Sequence, residues 1–206
     1  MTLADKITSS RLVLAPIFFV IYLLPNFFPL NSSAIQSLIL TIPVLWILFL
    51  ASEISDLLDG IVARKRGEVS DFGKLFDPFA DTLAKITYFL CFVIDGIFPS
   101  FLFLIVLYRE FSVLFVRNLM LKKGIAMGAR MSGKVKTVTY FIAGTLALLA
   151  SSIIRLGLFE YIQQWVVLAA NAVFAFSVLV AIFSLFQYIS VYLKTPQLPN
   201  QNQQST

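Results

Sequence analysis

A chain of 206 residues has room for one domain. This one is 59% hydrophobic and 13% charged, with a mean hydropathy of +0.88, which excludes an ordinary soluble domain and places it in a bilayer. It contains no histidine, which removes His-based acid–base chemistry, catalytic triads and the usual zinc sites. The single Cys91 lies in an apolar run and offers neither a disulfide nor a thiolate metal site.

The opening residues, MTLADKITSSR, lack the basic, apolar and small-residue order of a cleavable signal. They read as a short cytoplasmic segment on the membrane surface, with Leu3 and Ile7 toward lipid. Six apolar segments follow, over roughly 12–28, 35–65, 71–94, 98–121, 134–154 and 165–193, each long enough to span at about 20 residues. The expected architecture is therefore an all-α integral membrane protein of six transmembrane helices. It comprises one membrane domain over 1–194 and a polar tail, 195–206, that reads as disordered. Ala143 and Ala147, four apart in the fifth segment, are spaced for close helix packing. Most aromatic residues read as packing or lipid-facing positions.

The net charge is +5, and its placement matters more than its size. Lys65, Arg66, Lys122, Lys123 and Lys194 fall on one side of the predicted spans; on the other, Arg155 is the exception. The positive-inside rule makes the basic side cytoplasmic, and an even number of crossings puts both termini there. The basic turn at Arg64–Arg66 is no nucleic-acid patch in a chain with so few exposed charges.

Between the second and third segments runs DLLDGIVARKRGEVSDFGKLFDPFAD, residues 56–81. Asp56 and Asp59 are three apart, Asp77 and Asp81 four apart, so on helices each pair shares a face. A short turn makes the two helices antiparallel neighbours and lets both pairs converge on a cytosol-facing hollow. Carboxylates so gathered repel one another and are costly to desolvate, and hard divalent cations relieve both problems. The plain alternative is a solvated helix end, with Asp77 and Asp81 paired to Lys74 and Lys85. Gly60, Ala63 and Gly73 keep the surroundings low, and Arg64 brings a planar fork suited to phosphate oxygens. A second set of cations, Arg109, Arg117, Lys134 and Lys136, with Arg11, suits an acceptor that carries its own phosphate. Glu110 is placed to neutralise Arg109, which would be expensive to leave unpaired in lipid.

The acidic stretch resembles the signature of the CDP-alcohol phosphotransferase family, D-x2-D-G-x2-A-R-x8-G-x3-D-x3-D, with every spacing kept. The resemblance implies a six-helix membrane enzyme, a homodimer, that uses two Mg²⁺ (or Mn²⁺) ions. An alcohol attacks the phosphorus distal to cytidine and CMP leaves. It further implies that Asp56, Asp59, Asp77 and Asp81 hold the metals, and that Asp81 is also the base. Asp59, Gly60, Ala63, Arg64, Gly73 and Asp77 would accommodate the CDP moiety. The strings ITSSRLVLAPIF, YREFSV with Arg117, and GKVKT are similar to those of bacterial phosphatidylglycerophosphate synthases. That likeness implies CDP-diacylglycerol as donor, sn-glycerol 3-phosphate as acceptor, and a place in the bacterial cytoplasmic membrane. Rival expectations are the same chemistry on another alcohol (inositol phosphate, serine, or choline or ethanolamine transfer to diacylglycerol) and, in a different class, a divalent-cation transporter.

Overall fold

A computed structural model describes residues 3–27, 40–56, 71–125 and 131–195. All the regular structure among them is helical: α1 Leu3–Phe27, α2 over 40–56, α3 Asp71–Ile94, α4 Ser100–Lys122, α5 Met131–Leu156 and α6 Glu160–Lys194. Thr8–Pro25, α5 and α6 are long and apolar enough to cross a membrane. The third helix has the bounds its sequence predicts. The first begins some nine residues before its apolar stretch, because hydropathy marks where a helix enters lipid and not where its backbone starts to coil. The expected tail, 196–206, lies outside the described residues.

α1 and α6 each bury one stripe of residues spaced alternately three and four apart, the repeat that keeps one face of an α-helix toward its neighbours, whereas α3 is buried over a wider face. In α1 the stripe is Thr8, Arg11, Ala15, Phe18 and Tyr22; in α6 it is Ala170, Phe174, Ser177, Ala181, Ser184 and Tyr188. The opposite faces are apolar too. Val13, Ile17 and Val20 on α1 and Leu179, Phe183 and Phe186 on α6 are exposed, as lipid-facing side chains are. Within the buried faces, Phe18, Phe49, Phe89, Phe92 and Phe174 form an aromatic centre. Phe98 stacks on Phe174 with ring centroids 4.0 Å apart, and Phe89 meets Phe174 and Tyr140 edge-on at 5.2 Å.

Small residues let α5 and α6 approach closely. Ala143 and Ala147 are fully buried, and Gly144 faces Phe49 of α2. A β-carbon on Gly144 would lie 3.1 Å from Phe49 Cζ, and that ring is hemmed in by Tyr88 and Phe141 at 5.6 and 6.1 Å. Gly144→Val should therefore lower thermal stability by about 1–3 kcal/mol through overpacking. A thermal-unfolding assay in detergent checks this.

The end of the bundle remote from the acidic stretch is closed by a polar clamp. Gly96, at φ +71, ends α3 in a Schellman turn: its N–H donates to Val93 O at 3.0 Å, and the Ile97 N–H to Phe92 O at 2.9 Å. This turn presents Asp95, whose Oδ2 accepts from Tyr22 Oη at 2.7 Å and Arg155 Nη2 at 3.0 Å. Arg155 also donates to Ser151 Oγ and to the Tyr22 carbonyl, each at 3.0 Å, and lies 4.1 Å over the Tyr22 ring. The cation that departs from the charge pattern of the sequence thus ties α1, α3 and α5 together. Arg155→Ala should cost stability on the order of 1–3 kcal/mol, the usual worth of hydrogen bonds to a charged group. The KM values for substrates bound at the other end should not change.

Candidate active site

Asp56, Asp77 and Asp81 line a single cavity of about 240 Å³ together with Arg109, Arg117 and Lys136. The two chemically distinct groups of the sequence, acids and cations, thus line one space. The topology accounts for it. Asp56 ends the described part of α2, Asp77 and Asp81 stand in the first half of α3, and Lys136 lies in the second turn of α5. Arg109, near the middle of α4, and Arg117, toward its end, both reach the cavity. The site opens at the end where α4 and α6 finish in Lys122 and Lys194. Asp81 lies about 15 Å along the axis from Asp71, and Arg109 about 20 Å from Lys122, at 1.5 Å per residue.

On the acidic wall, α1 supplies the partners. Thr8 Oγ1 donates to Asp77 Oδ1 at 2.6 Å, and Arg11 Nη1 to Asp56 Oδ1 at 2.7 Å. Arg11 Nη1 also stands 3.9 Å from Asp81 Oδ1. Lys85, one turn after Asp81, pairs with it, and Glu53, one turn before Asp56, is near enough to interact with Lys85. The Asp81–Lys85 pairing anticipated from sequence is present, yet Asp81 still faces the cavity. Asp56, Asp77 and Asp81 bring oxygen donors of the kind that suits a hard divalent cation to one cavity from two helices, although among the described residues no three acids are grouped closely enough to hold a metal ion. Gly73 is buried one turn before Asp77. Asp59, Gly60, Ala63 and Arg64 lie outside the described residues.

On the basic wall, Glu110 sits between its cations. Its Oε1 accepts from Arg109 Nη1 at 2.8 Å and Lys136 Nζ at 3.0 Å, and its Oε2 accepts from Lys136 at 3.1 Å. Arg109 is further fastened to α6, donating through Nε to Ala181 O at 3.0 Å and through Nη2 to Ser184 Oγ at 3.1 Å. Successive residues of a helix turn by about 100°, so Lys134 and Lys136 face different ways. Lys136 is buried beside the cavity, whereas Lys134 is exposed and is not part of its lining. Arg11, grouped with the acceptor cations by sequence, has its guanidinium on the acids instead.

Two lining groups carry no signal of charge or spacing in the sequence: Tyr188, from the strongly apolar α6, and Thr137, from the first turns of α5. Thr8, which holds Asp77 without lining the cavity, stands three residues before Arg11 and so on the same face.

The pattern of the CDP-alcohol phosphatidyltransferase family matches residues 1–189, and the chain belongs to that family. It is an all-α integral membrane transferase, of a family in which dependence on divalent metal is general. Among curated relatives it is 36% identical over 201 residues to the CDP-diacylglycerol–glycerol-3-phosphate 3-phosphatidyltransferase of Treponema pallidum, covering 93% of this chain and 89% of that one. The Bacillus subtilis protein of the same name is 33% identical over 147 residues, 71% of this chain and 76% of its own. The Rickettsia typhi protein of that name is 25% identical over 193 residues, 92% of this chain and 98% of its own.

Proposed function

We propose that this protein transfers the phosphatidyl group of CDP-diacylglycerol to sn-glycerol 3-phosphate, giving phosphatidylglycerol phosphate and CMP in phospholipid synthesis. One observation carries the reading: carboxylates of the kind that suits divalent metal and cations of the kind that suits a phosphate line a single cavity. The names of the relatives supply the particular donor and acceptor.

In this reading Asp56, Asp77 and Asp81, with Asp59, hold two Mg²⁺ or Mn²⁺ ions. When bound, the metal neutralises the diphosphate and stabilises charge on the leaving oxygen. Gly60, Ala63, Arg64 and Gly73 accommodate the CDP moiety while the acyl chains stay in lipid. Arg109, Arg117 and Lys136 orient the phosphate of the acceptor, whose free hydroxyl then points at the acids. The hydroxyl oxygen forms a bond to the phosphorus distal to cytidine. The bond from that phosphorus to the bridging oxygen breaks, CMP departs, and the hydroxyl proton passes to Asp81. Thr8 and Arg11 fix Asp77 and Asp56 from behind. The basic end of the bundle faces the cytosol of a bacterial-type inner membrane, and the working unit is a homodimer.

The test is purified protein with Mg²⁺, labelled CDP-diacylglycerol and a panel of acceptors. CMP release should require metal and should be fastest with glycerol 3-phosphate. Faster release with inositol phosphate or serine would reassign the acceptor, and divalent-cation flux without CMP would overturn the enzyme.

A further inference from the structure

We propose that Glu110 is the specificity-determining residue of the acceptor subsite. Its carboxylate is a built-in anion that draws on the same two cations, Arg109 and Lys136, as the acceptor's phosphate does, and so sets how strongly a phosphate is held. This rests on the acceptor reading above.

The geometry divides the two cations by role. Arg109 is pinned: three of its nitrogens bond Glu110, Ser184 and the Ala181 carbonyl, so its guanidinium is a fixed cation beside the cavity that also ties α4 to α6. Lys136 is held differently. Its ammonium meets both oxygens of Glu110 and stands 4.9 Å from the centre of the Tyr140 ring, at the end of a flexible four-carbon stem. It can turn from carboxylate to phosphate without moving a helix. Glu110 is itself only 8% exposed, yet it lines the cavity, so an incoming phosphate and this carboxylate meet across the same ammonium.

Charge supports the assignment. A phosphate monoester carries about −1.5 to −2 at neutral pH, so it can displace a single carboxylate from the Lys136 ammonium, while that carboxylate limits how tightly the phosphate, and a product that keeps the same group, is held. The competition also disfavours acceptors without a phosphate, which offer nothing in exchange for the carboxylate.

Glu110→Gln keeps the shape and removes the charge. In detergent-solubilised protein it should bind inorganic phosphate roughly tenfold more tightly, the change that 1.4 kcal/mol produces. KM for glycerol 3-phosphate should fall together with kcat, and Glu110→Asp should restore part of both. Phosphate affinity equal to or weaker than that of the unsubstituted protein would overturn the proposal and leave Glu110 a structural counter-ion. If the Gln variant does not fold, Glu110→Asp alone decides. Its shorter carboxylate reaches Lys136 less well, so phosphate should raise its melting temperature more than it raises that of the unsubstituted protein, and an equal rise refutes the idea. Unsubstituted protein that binds phosphate but does not turn over glycerol 3-phosphate would refute the assigned acceptor, while tighter phosphate binding by the Gln variant would still uphold Glu110.

Discussion

Asp81→Asn should reduce CMP release by about 10²–10⁴-fold, the usual contribution of a positioned general base, with the fold intact. The asparagine is isosteric and still faces the cavity, but it can neither take up the hydroxyl proton nor share in a metal site. Lys85 loses its closest partner, yet Glu53 and Asp56 remain near enough to offset its charge. Melting temperature should consequently move little while turnover collapses. That separation distinguishes a catalytic carboxylate from one that merely balances a buried lysine. An Asn variant that retained turnover within tenfold would place the proton acceptor elsewhere.

The second large effect is expected at Arg109. Arg109→Ala leaves Glu110 with one cation and strips α6 of two bonds, and breaking a buried ion pair by removing one partner costs about 3–5 kcal/mol. The Ala variant should accumulate poorly as folded protein. Arg109→Lys keeps the charge, but a single ammonium cannot reach Ala181 O, Ser184 Oγ and Glu110 together as the planar fork does. It should fold with reduced stability and a raised KM for the acceptor, with KM for CDP-diacylglycerol little altered. Parallel thermal-unfolding and steady-state measurements check both variants. Equal losses for both substrates would mean that Arg109 supports the bundle as a whole and not one subsite.

The part of this site that the sequence discloses is the part whose geometry is local. The sequence places Asp56 toward the end of one predicted helix and Asp77 and Asp81 near the start of the next, and the short turn it predicts between them makes the two helices neighbours. The third helix starts at Asp71 as predicted, because the polar residues before it stop the apolar run abruptly. What stayed hidden depends on which distant helices meet. Tyr188 and Ser184 belong to a segment whose composition signals lipid, and only packing on its neighbours brings Tyr188 to the cavity and Ser184 to Arg109. Arg11 was grouped with the acceptor cations because its charge suits a phosphate, and nothing in its spacing reveals that α1 lies along the acids. The alternation of Lys134 and Lys136 was legible in principle from the turn per residue, once Lys136 is fixed toward Glu110.

The central claim is that metal-holding carboxylates and phosphate-holding cations share one hollow. It is tested most directly by an experimental structure of the protein with Mn²⁺ and glycerol 3-phosphate, the manganese located by anomalous scattering. Manganese should lie against Asp56, Asp77 and Asp81, with the phosphate beside Arg109, Arg117 and Lys136 in the same cavity. Manganese bound away from those aspartates, or Asp56 and Asp77 facing apart, would contradict it.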